Sequence, residues 1–288
     1  MRRLRPVVMA LLLAGAWWVC VAASAQDSAQ IGQHEYTFAA SNDALDEYLL
    51  FLPESYEQDQ AQQWPVILHL HGAGVSGIGG MRSREALTQK VDREPDFPFI
   101  VLSPLYVGGA EGKLLDAAFG LLDGVPVDYD PIDPIIDDTM ELLDAVLATY
   151  RVDANRVYIT GGSMGAFLSW FLLPNYPDRF AANAPVAGPG EPASACDVSH
   201  IPTWAFAGGA DQIVPIDSVQ AMHDAVEACG GSPRLTVYPG VGHETPLFVD
   251  SYELAELYEW LLEHSLATTA VAPRGKLSAM WGRIKAVQ

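Results

Sequence analysis

The chain has 288 residues, half of them hydrophobic and 18% charged, with a formal charge of −20. The apolar content excludes a largely disordered chain. The acidity excludes a surface built to hold nucleic acid or anionic lipid.

The first residues are basic ("MRRLRP"), the next run is apolar ("VVMALLLAGAWWVCVAA"), and Ala23-Ser24-Ala25 has the small residues of a cleavage site. Residues 1–25 therefore read as a secretory signal peptide. An uncleaved anchor is the rival reading, against which the apolar run is short. Cys20 follows Val19 rather than a small residue, which argues against lipid attachment. Cleavage removes three Arg and no acid, moving the charge from −20 to −23. A secreted or periplasmic product of roughly 260 residues is long enough for one large α/β domain. No later segment is long and apolar enough to span a membrane.

From Tyr36 onward strand-like and helix-like stretches alternate. "DEYLLFLPESY" reads as a strand ending at Pro53, and "WPVILHLHG" and "FPFIVLSPLY" as short apolar strands buried on both faces. Residues 106–130 read as a long acidic and apolar connection, either a lid or a plain surface excursion. "DPIIDDTMELLDAVLATYR" has helical spacing over about five turns. "RVYIT" is a strand and "MGAFLSWFLL" a helix ended by Pro174. In the second half "FAANAPVAG", "IPTWAFAGG" and "RLTVYPG" read as strands. "IDSVQAMHDAVEACGG" and "SYELAELYEWLLEHSL" read as helices, the second with Leu254, Leu257, Tyr258 and Leu261 on one face. Such alternation predicts a parallel sheet covered on both sides, within a catalytic domain over residues 26–266. Residues 267–288 read as a linker and a short amphipathic helix that docks on the body, touches a membrane or stays disordered. Cys196 and Cys229 either pair, as export would favour, or remain two thiols. No spacing of Cys or His suggests a metal site.

Gly161-Gly162-Ser163-Met164-Gly165 is a G-x-S-x-G sequence between a β-branched strand and an apolar helix. That is the setting of a nucleophile elbow, in which a sharp turn lifts the serine hydroxyl above the sheet edge. A serine hydroxyl needs a base. Of seven His, His223 and His264 fall in helices, His200 at the wrong end of a strand, His34 near the mature N-terminus, and His69 and His71 before the serine. His243, in the Gly-rich "YPGVGHETP" after the last strand, is the candidate base. Asp211 in "AFAGGADQIVP" is the candidate acid that would orient it, whereas Asp217 reads as the cap of the next helix. Donors for an oxyanion would be the N–H groups of Met164 and of Ala73 in "HLHGAG", with Gly74 as the alternative to Ala73. Phe167, Trp170 and Trp204 read as core rather than as pocket walls.

The motifs "LHLHGAG", "RVYITGGSMGAF", "YPDRFAANAPVAG", "TWAFAGGADQIVP" and "YPGVGHE" resemble those of the α/β-hydrolase superfamily. The nearest likeness is to secreted serine esterases of the polyhydroxybutyrate depolymerase, feruloyl esterase and dienelactone hydrolase type. The resemblance covers about residues 45–266. It implies a mostly parallel eight-stranded sheet with helices on both faces. It also implies hydrolysis of carboxylic esters, small or polymeric, through an acyl-enzyme on Ser163, Asp211 and His243, without metal or cofactor. Ala207-Gly208 stands where many relatives have His-Gly, and Ala166 where a second Gly is common. A peptidase of prolyl oligopeptidase type and a non-catalytic binding protein on the same scaffold are the alternatives.

Overall fold

A computed structural model describes residues 29–266; the leader and the C-terminal segment read from the sequence lie outside them. Its eight strands are β1 (Gly32–Thr37), β2 (Leu45–Leu52), β3 (Trp64–Leu70), β4 (Ile100–Tyr106), β5 (Val152–Gly162), β6 (Ala182–Val186), β7 (Trp204–Gly208) and β8 (Arg234–Tyr238). They form one sheet in the order β1-β2-β4-β3-β5-β6-β7-β8. The two pairs made by β2 are antiparallel and the pairs from β4 to β8 are parallel. The expected α/β-hydrolase architecture is thus present. β1 was not read from the sequence; "GQHEYT" is a polar edge strand, held to the sheet through β2 alone.

The helices of the described residues are α1 (Gly77–Arg84), α2 (Ala86–Arg93), α3 (Ala110–Leu122), α4 (Asp133–Thr149), α5 (Met164–Asn175), α6 (Ala195–Val198), α7 (Ile216–Ala228), α8 (Thr245–Glu253) and α9 (Ala255–Leu262). Side chains alternate across each strand, so β3 sends Val66, Leu68 and Leu70 to one core and Ile67 to the other. The first core takes residues of α3, α4, α5 and α7, the second those of α2, α8 and α9. α5 is buried at every position from Met164 to Leu173, which is why its sequence is apolar all round.

Four sequence expectations change. Residues 106–130 are not an irregular connection, because α3 occupies thirteen of them. Gly112 and Gly120 lower its helix propensity, but Leu114 and Ala118 are buried at helical spacing. α5 runs one residue past Pro174 to Asn175. The last helix is two helices, broken at Leu254, which is extended (φ −69°, ψ 104°). The Tyr258 hydroxyl donates to the Tyr252 carbonyl across the break (2.7 Å), so the interruption leaves that acceptor satisfied. Asp217 does not cap α7: the cap position is Pro215, whose carbonyl accepts the Ser218 N–H (2.9 Å) and hydroxyl (2.7 Å).

Cys196 and Cys229 are joined in a disulfide, with Cα atoms 5.0 Å apart and a sequence separation of 33. Closing a loop of that length stabilises a fold by roughly 3–4 kcal/mol in the chain-entropy account.

β3, β5 and α5 meet with almost no space between their backbones. A Cβ on Gly165 would lie 2.0 Å from the Leu70 carbonyl oxygen, and one on Gly161 2.5 Å from the Gly165 carbonyl carbon. Beside this junction the buried His71 ring ties the ends of β3 and β4 together. Its Nδ1 lies 2.8 Å from the Gly72 carbonyl oxygen and its Nε2 3.2 Å from the Tyr106 nitrogen. Nδ1–H therefore donates and Nε2 accepts, which fixes a neutral ring. Burial pushes the His71 pKa below its usual value, despite the opposing pull of the Gly72 carbonyl and nearby carboxylates.

Two outcomes follow for stability. Gly165→Ala should destabilise the fold by about 3 kcal/mol or more in urea denaturation. Gly112→Ala, where the added carbon meets nothing within 4 Å, should instead leave stability unchanged or raise it. The depressed pKa of His71 means that the unfolded chain takes up a proton, below about pH 6.5, that the folded chain refuses. Stability should fall as the pH drops through that region. His71→Asn should flatten the fall by up to about 1.4 kcal/mol per pH unit, as read from denaturation midpoints between pH 7 and 5.

Candidate active site

In an open α/β sheet, sites form beyond the carboxyl ends of the strands where the strand order reverses. Here that point lies between β3 and β5, because the chain leaves β3 for β4 on one side and returns to β5 on the other. Ser163 alone makes the turn from β5 into α5, with φ 53° and ψ −116°. This is a conformation that side-chain-bearing residues avoid, and it persists only where surroundings over-determine it. The Ser163 N–H donates to the Val186 carbonyl (2.8 Å) and the Ser163 carbonyl accepts the Phe167 N–H (3.0 Å). The hydroxyl is thereby held above the sheet at the positive end of α5.

Asp211 and His243 arrive on the loops after β7 and β8. The pairing of those strands continues into the loops, where Gly209 N–H donates to the Tyr238 carbonyl and Ala210 N–H to the Val241 carbonyl (both 2.9 Å). A Cβ on Gly208 would stand 2.5 Å from the Val241 carbonyl oxygen, so the two loops pack backbone to backbone. His243 Nδ1 lies 2.7 Å from Asp211 Oδ2, and His243 Nε2 lies 2.9 Å from Ser163 Oγ. The other carboxylate oxygen of Asp211 accepts the N–H groups of Ile213 and Val214 (both 2.9 Å). Its side chain is only 1% exposed, so the carboxylate is buried but fully hydrogen-bonded, as a buried charge must be. Phe248 packs edge-on to the imidazole, ring centres 5.4 Å apart.

The turn after β3 lies against the serine: a Cβ on Gly72 would be 3.9 Å from Ser163 Cβ. Its three N–H groups differ. Gly72 N–H donates to Glu85 Oε1 (3.2 Å) and Gly74 N–H to Glu111 Oε1 (2.8 Å). The Ala73 N–H has no acceptor among the described residues. Met164 opens α5, so its N–H has no intrahelical acceptor either. A base–nucleophile pair oriented by a carboxylate, beside two unused N–H donors, is equipped for acyl transfer.

A narrow cleft leads from Ser163 and Met164, walled by Leu115, Ala118, Phe119 and Leu122 of α3, by Phe167, and by Pro189, Ile213 and Val214. Among the described residues no charged side chain lines it. The α3 wall was missed because 106–130 read as a connection, although Leu115, Ala118, Phe119 and Leu122 keep helical spacing. Phe167 is buried yet lines the cleft, whereas Trp170 and Trp204 are core. A wider cavity of about 600 Å³, between Asp144, Asn155, Asp178 and Arg179, holds none of these groups. The other histidines have separate contacts: His34 on the Ile31 carbonyl, His200 near that of Pro177, His223 beside Asp224, and His69 on Ser103.

Known proteins share this arrangement of elements. A solved thermostable esterase superposes with a TM-score of 0.65 at 26% identity, over 81% of this chain and 63% of that one. A solved ferulic acid esterase gives a TM-score of 0.58 at 18% identity, over 81% of this chain and 97% of that one, a likeness of fold. A poly(3-hydroxyalkanoate) depolymerase C of Paucimonas lemoignei is 44% identical over 48 residues, 17% of this chain and 12% of that protein. The chain thus matches a small part of that relative's length. Residues 48–245, from within β2 to the start of α8, match the dienelactone hydrolase family throughout, and the chain belongs to that family.

Proposed function

We propose that the protein is a serine carboxylic ester hydrolase acting through an acyl-enzyme. The observation that carries this reading is the continuous hydrogen-bonded chain from Ser163 Oγ through His243 to Asp211, at 2.9 and 2.7 Å. Ser163 Oγ bonds to the acyl carbon while its proton passes to His243 Nε2, and the carbonyl electron pair moves onto oxygen. The N–H groups of Ala73 and Met164 hold that oxyanion. Asp211 holds the imidazole in the required tautomer and stabilises the imidazolium. The bond to the alcohol oxygen then breaks, and His243 returns the proton to it. Water repeats the sequence: its proton goes to His243, its oxygen bonds to the acyl carbon, the bond to Oγ breaks, and Ser163 recovers its proton.

The cleft supports short, uncharged acyl or aryl groups. Its walls are apolar and uncharged, and a chain of net charge −20 repels anionic substrates. The basic and apolar leader sequence and the Cys196–Cys229 disulfide support export to an oxidising compartment.

Ser163→Ala should lose about 10⁴-fold or more of the activity on p-nitrophenyl acetate and butyrate, and all labelling by a fluorophosphonate. A folded wild type that neither turns over nor labels would overturn the reading, and faster cleavage of peptide anilides than of esters would replace it with a peptidase. Phe119→Ala should lower kcat/KM on butyrate about fivefold, through loss of roughly 1 kcal/mol of apolar contact, and barely change it on acetate. Equal losses on the two esters would remove α3 from the acyl site.

A further inference from the structure

The turn that presents Ala73 is held from outside by two carboxylates. Glu85 stands between α1 and α2, with its side chain 15% exposed. Its Oε1 accepts the Gly72 N–H at 3.2 Å, and its Oε2 lies 3.6 Å from Nε2 of the fully buried His69. Burial pushes the Glu85 pKa up, but the neighbouring His69, with His71 and the Gly72 N–H, outweighs it and holds the carboxyl below its usual value. Glu111, in the first turn of α3, accepts the Gly74 N–H at 2.8 Å. Arg84 Nη1 donates to the Gly74 carbonyl at 2.8 Å from the other side. His69 is itself fixed, through Nδ1, to the Ser103 hydroxyl at 3.0 Å.

We propose that Glu85 and Glu111 are positioning residues, a pair of carboxylate clamps that fix the 72–74 turn so that, of its three N–H groups, only that of Ala73 is left to face the reacting oxygen. This rests on the serine hydrolase reading of Ser163. Two anions near a developing oxyanion oppose its charge, so their contribution is geometric: they consume the two flanking N–H groups and leave the middle one free. Glu111 also heads the α3 face that carries Leu115 and Phe119, one and two turns further on. The helix that walls the cleft therefore also holds the 72–74 turn, through the Glu111 carboxylate.

The test compares Glu85→Ala, Glu85→Gln, Glu111→Ala and Glu111→Gln on p-nitrophenyl butyrate, with an alkyl trifluoromethyl ketone as the oxyanion-forming probe. Each Ala variant should lower kcat about 10- to 100-fold with KM changed less than about threefold, short of the cost of deleting a donor outright. Affinity for the ketone should fall by the same factor as kcat/KM. Each Gln variant keeps an acceptor oxygen without the charge and should recover most of the lost kcat. A rise in KM at constant kcat, Gln variants as impaired as Ala variants, or unchanged ketone affinity would overturn the clamp. Glu111 is only half-buried, so its variants decide the matter if Glu85→Ala fails to fold. Wild-type turnover and fluorophosphonate labelling at Ser163 separate the two levels: if both are absent the hydrolase reading fails, and if both are present only the clamp is in question.

Discussion

α5 rests on β3 and β5 so closely that Gly161 and Gly165 have no space for a Cβ, and the geometry of the site descends from that contact. A helix at this distance cannot be joined to its strand by a relaxed turn. One residue must absorb the whole change of direction, and Ser163 does so at φ 53°. The strain is maintained by backbone hydrogen bonds to β6 and within α5 rather than by the serine side chain. The hydroxyl is therefore left to His243, while its position is set by main chain. The same contact brings the end of β3 to the serine, so Ser163 and the 72–74 turn are registered by one packing event.

Asp211 and His243 are placed by a separate device. β7 and β8 pair to their ends and continue pairing into their loops, so Asp211 and His243 share a backbone frame before their side chains meet. Electrostatics then refines the placement. Asp211 is shielded from water yet accepts two N–H groups and faces the imidazole, so its charge has partners in each direction. His71 and His69, a short distance along β3, hold structure instead. One is locked neutral between two backbone groups, and the other lies between Ser103 and Glu85.

Ser163, Asp211, His243 and Ala73 were legible in the sequence because each stands in a run of small residues just after a β-branched or apolar strand. Few other structures produce that pattern. What stayed hidden depends on distant partners. α3 carries glycines and acids that weaken any local helix signal, and it is stabilised by packing against the nucleophile helix. β1 is polar and gains its strand character from pairing with β2. The break at Leu254 falls inside an unbroken apolar period, and only burial of Tyr252 and Tyr258 against the same core requires it. Glu85 lies 13 residues from Gly72, and no spacing rule connects a carboxylate at a helix junction to one amide in a turn.

The disulfide closes a ring that runs through β7, Asp211 and α7, with Ser163 and His243 outside it. The full chain contains three cysteines, and the third, Cys20, lies outside the described residues. The two cysteines of the described residues have one way to pair with each other. Once closed, the ring shortens the loop on which the unfolded chain carries Asp211, so the entropy of placing that segment is lowered before the fold forms.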